Sequence, residues 1–185
     1  MAKPDDIFEN PHNGNKLQFL ITSAESKGEV VKVQIWTPSG VPMPPEHIHP
    51  LQTDSMEIIQ GQMRVNIDGH EQVLSAGETI VVPKNTPHQT WTVGSTELIV
   101  IHELRPALNT EVFFETQMAL AAQGKSNVNG VPRDFLQFAT ILNENYGQLF
   151  VTNPPVPVQK FVAKVIGGLG KLLGYKGYVP FPRQG

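Results

Sequence analysis

PPEHIHPLQTDSMEIIQGQ, residues 44–62, decides the reading of this chain, and AGETIVVPKNTPHQTW, residues 76–91, completes it. In the first stretch His47 and His49 stand two residues apart, and on an extended strand such residues point to the same face. Two neutral imidazoles side by side suit a borderline metal ion. Asp54 follows five residues after His49, and His88 follows the rigid turn Pro83-Lys84-Asn85-Thr86-Pro87 that would launch a new strand. An H-x-H pair alone is common in loops, but a carboxylate and a third imidazole make a set: His47, His49, Asp54 and His88 are the candidate metal ligands, with Gln52 on the intervening loop as a further candidate.

Glu57 is the rival carboxylate. In a strand beginning at Asp54, positions 54, 56 and 58 share one face and Glu57 lies on the other, so Asp54 is preferred. Histidines that merely pack and hydrogen-bond in a metal-free pocket are the alternative. His12, His70 and His102 carry no such spacing. His70 follows the Asp68-Gly69 turn and is expected in solvent, and His102 is expected as a satisfied histidine of the last strand.

Outward from these stretches, residues 16–104 read as short strands and turns. Residues 17–22 and 30–37 are rich in β-branched and apolar side chains and are separated by Ser-Lys-Gly. A proline-dense loop at 38–45 interrupts them. Strands are then predicted at 55–60, 63–68, 72–74, 79–83, 88–93 and 97–104, with Gly61, Asp68-Gly69, Ala76-Gly77, Asn85 and Gly94-Ser95 between them. Asp68-Gly69 between alternating strands is a hairpin signal. Many short strands with regular turns give a sandwich or barrel.

After Pro106 the period changes. Residues 110–123 are helical by composition, with Thr110 as the expected N-cap and Gly124 as a stop. Residues 125–131 read as a loop. Phe135, Ala139, Leu142 and Tyr146 fall on one helical face. Residues 154–173 form an amphipathic helix: Phe161, Val162, Val165, Ile166, Leu169, Leu172 and Leu173 share a side, opposite Lys160, Lys164 and Lys171. Such a helix lies over the barrel or in a dimer seam, or else meets a membrane surface or a partner. The expected organisation is a barrel over residues 1–108, including an N-terminal strand, and a C-terminal helical extension over 109–185 packed on the barrel or on a dimer seam.

The chain has 185 residues, a length that suits one domain with extensions. It is 39% hydrophobic and 17% charged, with sixteen Gly and sixteen Pro, which fits a globular all-β core and disfavours a helix bundle. A net charge of -3 gives no general attraction for phosphate backbones, so nucleic acid is excluded as a partner. With no cysteine there is no disulfide framework, thiolate site or cysteine nucleophile, which fits a reducing cytosol. Neither a signal peptide nor an integral membrane segment is expected, so the location is read as cytoplasmic.

These residues carry a resemblance. Cupins have a first motif G-x5-H-x-H-x3,4-E-x6-G and a second G-x5-P-x-G-x2-H-x3-N; here stand His47-x-His49-x4-Asp54-x6-Gly61 and Gly77-x5-Pro83-x-Asn85-x2-His88-x3-Thr92. The resemblance covers about residues 30–104 and is closest to a bacterial group that extends past an R-P-A-L segment, Arg105 to Leu108, into C-terminal helices. The chain departs from the motifs at four points. Six residues rather than five separate Gly40 from His47; Asn85 replaces a turn glycine, tolerable because Asn adopts positive φ readily; Thr92 replaces a non-ligand Asn; Asp54 replaces a glutamate and is one methylene shorter. The resemblance implies an all-β core, a double-stranded β-helix (jelly-roll cupin barrel) with C-terminal α-helices, pairing as a homodimer through edge strands. It also implies one divalent transition metal, Fe, Mn, Ni or Zn, acting on a small organic substrate: dioxygenase-like oxidoreductase chemistry with iron, or Lewis-acid isomerase or lyase chemistry with Zn or Mn. A non-catalytic small-ligand-binding module is the alternative.

Overall fold

The computed structural model describes residues 2–182. Eleven strands among them form two antiparallel sheets. In chain order they are β1 (Ile7–Glu9), β2 (Lys16–Ile21), β3 (Val31–Thr37), β4 (His47–Ile48), β5 (Thr53–Gln60), β6 (Gln62–Ile67), β7 (His70–Ser75), β8 (Thr79–Val82), β9 (His88–Val93), β10 (Leu98–Arg105) and β11 (Phe150–Val151). One sheet runs β1-β2-β3-β10-β5-β8 and the other β11-β4-β9-β6-β7. The helices are α1 (Thr110–Ala122), α2 (Phe135–Glu144), α3 (Val156–Phe161) and α4 (Gly167–Leu172), with a π-helical turn, Val162–Ile166, joining the last two. The jelly-roll barrel with C-terminal helices expected from sequence is therefore the fold observed.

Period-two patterning builds the core. Met56 and Ile58 of β5, Met63 and Val65 of β6, and Leu98 and Val100 of β10 all turn inward, and with Leu74 and Val82 they fill the space between the sheets. Ile58, Met63 and Val65 are wholly buried, each contributing about 1.5–3 kcal/mol through removal of apolar surface from water. A second cluster, around Phe8, Phe19, Val31 and Val33, packs against Phe114 and Met118 of α1.

Turn chemistry fixes the register. Asp68 and Gly69 both take positive φ, 50° and 83°, and close a two-residue hairpin pairing Ile67 with His70. Gly61, between β5 and β6, has φ +79°, and a Cβ there would stand 2.7 Å from the Glu97 carbonyl oxygen.

Three local readings need correcting. The residue capping α1 is Asn109, without a side-chain cap, and Thr110 lies inside the helix. The Thr110 hydroxyl is instead buried as an acceptor for Gln52 Nε2 at 2.8 Å and Gln148 Nε2 at 3.3 Å. In α2 the buried residues are Ala139, Thr140 and Ile141, while Phe135 is exposed, and Tyr146, also exposed, lies beyond the end of the helix. In the last helix the apolar residues Phe161, Val165, Leu169, Leu172 and Leu173 are exposed, and the side packed inward is made of Gln159, Ala163, Gly167 and Gly170.

The extension is not purely helical. Its β11 pairs antiparallel with β4, Phe150 with Ile48 and Val151 with His47, so residues from beyond the helices α1 and α2 complete the second sheet. Gln159 locks this strand to the last helix, accepting from Val151 N at 3.2 Å and donating to Val151 O at 2.7 Å.

Candidate metal centre

The three histidines of the two decisive stretches meet. His47 on β4 lies directly across from His88 at the start of β9. His49 continues the line of β4, and its carbonyl accepts a hydrogen bond from Asn85 N at 2.9 Å. Asn85 makes that contact in a left-handed conformation, φ +60°, which is why an Asn serves where glycine is otherwise needed. The Pro83-to-Pro87 turn thus ties the strand bearing His88 to the loop bearing His49. One ring nitrogen from each of His47, His49 and His88 lies within 4.8 Å of the others, a group that can hold a metal ion. Their ring centroids stand 4.3 to 5.5 Å apart.

Backbone carbonyls select the tautomers. His47 Nδ1 donates to Pro45 O at 2.8 Å and His88 Nδ1 to Thr86 O at 3.0 Å. With the proton held at Nδ1, the neutral form of each ring leaves its Nε2 lone pair for the cavity. His88 Nε2 is buried and makes no hydrogen bond of acceptable geometry. Asp54 Oδ2 stands 3.3 Å from it.

Electrostatics keep two of the rings neutral. Desolvation, then the charges of its two neighbours His88 and His49, lowers the His47 pKa to about 3. Desolvation outweighs the nearby Asp54 carboxylate and lowers His49 to about 4. Neutral imidazole is the form that ligates. His88 moves the other way: burial is overcome by Asp54 and the Thr86 carbonyl, and its pKa is raised.

Asp54 is buried at the end of β5 and reaches toward the cluster. Its Oδ2 lies 3.3 Å from His88 Nε2 and 3.7 Å from His49 Nε2. Its Oδ1 accepts from His102 Nε2 at 2.6 Å. Burial alone would raise this carboxyl, but the charge and hydrogen bond of His102, with His88 and His49, hold it well below the usual carboxylate range. His102 was read from sequence as satisfied in the barrel; the structure adds that its partner is Asp54. The signal was present in the register: Leu104 faces Asp54 across β10 and β5, so His102 is its diagonal neighbour on the same face.

The remaining candidates stand apart. Gln52 is wholly buried, and its amide nitrogen donates to Pro106 O at 2.8 Å, Ala107 O at 3.3 Å and Thr110 Oγ1, fastening the barrel to the start of α1. Glu57 is exposed on the opposite face of β5, and His70 is exposed beyond the hairpin, both as the alternation requires. Sequence reasoning missed β11, whose two residues flank the site strand and have only a non-local partner to reveal them.

A family model described as the cupin domain matches residues 34–102. Germin-like protein 3-5 of Oryza sativa subsp. japonica is 26% identical over 112 residues, 55% of this chain and 48% of the relative. The chain therefore spans about half the length of the curated relatives it matches. Among solved structures, an RmlC-like cupin from Shewanella frigidimarina is 27% identical, covering 60% of this chain and 93% of its own, with a TM-score of 0.46. KdgF from Halomonas sp. is 19% identical over 54% of this chain and 86% of its own, also at 0.46.

Proposed function

Residues 34–102 are a cupin domain, and on that premise we propose that His47, His49, His88 and Asp54 hold one divalent transition metal at which the chain acts as an oxidoreductase on a small organic substrate. The carrying observation is the convergence of three ring nitrogens within 4.8 Å, two of them on rings kept neutral by burial, with the buried Asp54 carboxylate 3.3 Å from the third ring. A donor set of nitrogen and oxygen without sulfur fits Fe, Mn, Ni or Zn. When bound, such an ion supplies open coordination positions and Lewis acidity to a substrate.

The protein's own groups orient and charge the site. Pro45 O and Thr86 O hold the His47 and His88 rings by their Nδ1 protons, so both Nε2 atoms stay aimed without rotation. His102 keeps its proton on Asp54 Oδ1, which fixes the carboxylate's orientation and leaves Oδ2 on the side of His49 and His88. Asp54, Met56 and Ile58 share the inward face of β5, so the apolar core begins directly behind the carboxylate and excludes water from that side. Under the same proposal two copies would pair through β1, the open edge of the larger sheet, where Ile7 is exposed.

The test is metal analysis of protein purified without added metal, followed by oxygen uptake with a panel of small aromatic and dicarbonyl compounds. Stoichiometric metal with substrate-dependent uptake is the expected result. His49→Ala and His88→Ala should each lose metal by on the order of 100-fold in affinity while the far-ultraviolet spectrum stays that of the parent. Metal-free protein that binds a compound from the panel unchanged would overturn the reading in favour of a ligand-binding module, and metal without uptake would move the site to isomerase or lyase chemistry.

A further inference from the structure

The last helix is built inside out. Val158, Phe161, Val165, Leu169, Leu172 and Leu173 are 48 to 86% exposed and recur at helical spacing along one stripe. The opposite side is stripped of bulk so that it can press onto α2: a Cβ on Gly167 would collide with the Ala139 carbonyl, and one on Gly170 with the Thr140 hydroxyl. On the flank between stripe and body stand the lysines. Lys160 Nζ sits 5.8 Å from the centre of the Phe150 ring, Lys164 Nζ 5.0 Å from that of Tyr146, and Lys171 pairs with Glu144 at 2.7 Å.

The charge of the chain is divided at this helix. Every Asp and Glu of the sequence lies at or before Glu144, whereas Lys160, Lys164, Lys171, Lys176 and Arg183 follow it, so a protein of net charge -3 ends in a purely basic segment. An exposed apolar stripe bordered by Lys160 and Lys164, on a helix that carries no Asp or Glu of its own, is complementary to a surface that is both oily and negative. A second copy does not meet that description, because two-fold pairing through the stripe would set the same lysines against themselves. No helix among the described residues is long and apolar enough to cross a membrane, so the helix can only lie in the interface plane.

We propose that the helix spanning α3 to α4 docks the protein onto an anionic lipid bilayer, its apolar stripe entering the headgroup boundary and its lysines meeting lipid phosphates. The π-helical turn at Val162–Ile166 does not interrupt the stripe, since Phe161, Val165 and Leu169 remain exposed on either side of it and within it. The stripe shares no residue with the histidine cluster.

The experiment is co-sedimentation of the full chain with vesicles of phosphatidylcholine alone, or with about 30 mol% phosphatidylglycerol, at low and high salt. Partition onto the anionic vesicles should exceed that onto neutral ones at least tenfold and fall with salt. The pair Leu169→Glu and Leu172→Glu should lower it at least tenfold with an unchanged melting temperature. Lys160→Gln with Lys164→Gln should lower it about 25-fold, from about fivefold per lysine near an anionic surface; this second pair decides the matter if the first fails to fold. Equal partition onto both vesicle types, no partition at all, or stripe variants that bind like the parent would overturn the proposal. So would a self-association in sedimentation velocity that the Leu169→Glu and Leu172→Glu pair abolishes while the parent ignores vesicles, since the stripe would then belong to a second copy.

Discussion

Strand β5 and the last helix are both amphipathic, and they point in opposite senses. On β5 the inward positions Asp54, Met56 and Ile58 are buried and the outward Glu57 is exposed. On the helix the large apolar side chains look out, and Gly167, Gly170 and Ala163 look in. Periodicity states which residues share a face. It does not state which way the face looks, and the difference is set by what else competes for the interior. β5 is enclosed between the sheets, whereas the helix is held at its start by β11 and packs along α2 at a spacing that admits no side chain on Gly167.

Mutations can break this contrast, beginning with the barrel. Ile58→Ala removes three carbons from a wholly buried position and should cost about 2–5 kcal/mol in denaturant unfolding. A cost under about 1 kcal/mol would mean that the inter-sheet core is not close-packed. Gly167→Val inverts the helix's logic by placing bulk on its small face, and should cost about 1–3 kcal/mol because the Ala139 carbonyl has to be displaced. Thermal melts that match the parent would show the helix free to ride away from α2.

The polar end of the barrel interior sharpens the comparison through pH. In the metal-free protein His47 and His49 titrate near 3 and 4, against about 6.5 when unfolded. As pH falls below 6.5 the unfolded chain takes up protons that the folded one refuses, so stability is lost down to those folded values. Asp54 continues the loss at lower pH, because its folded carboxyl is held below the ordinary range and its stabilisation vanishes on protonation. His88, raised, opposes them and contributes stability present below about pH 6.5 and lost as pH rises through its folded value. Between pH 6 and 4.5 His88 is protonated both folded and unfolded and adds no slope, so His47 and His49 together give a fall of about 2–3 kcal/mol per pH unit. A melting temperature that rises on acidification over this window would contradict the neutral assignment of His47 and His49.

The smallest effect belongs to the stripe. Leu172, 86% exposed, should tolerate Ala within about 0.5 kcal/mol in the same unfolding assay. A loss comparable to that of Ile58→Ala would show that another surface covers it in solution.

Much of this molecule is legible in its sequence, for reasons that can be named. Asp68-Gly69 announces its hairpin because few residue pairs accept two consecutive positive φ angles. His47, His49 and His88 announce their meeting because the strand period and the proline-bounded turn leave them little choice of face. Position 57 is settled by the same parity. What stayed hidden depends on non-local partners. Thr110 has the chemistry of a cap and serves instead as an acceptor for Gln52 and Gln148, which come from 58 and 38 residues away. The Asp54–His102 pair needs the β5–β10 register before it can be seen, and β11 is two residues long, too short for any pattern.

That last strand has a consequence for the architecture of the gene product. β4 contributes His47 and is only two residues long, held on one side by β9 and on the other by β11. Cutting the chain where the cupin match ends would strip one flank from the shortest strand of the barrel and loosen the imidazole it carries. The tail is therefore no detachable appendage: whatever anchors or tugs at the final helix pulls, through Gln159 and Val151, on the backbone of the residue opposite His88.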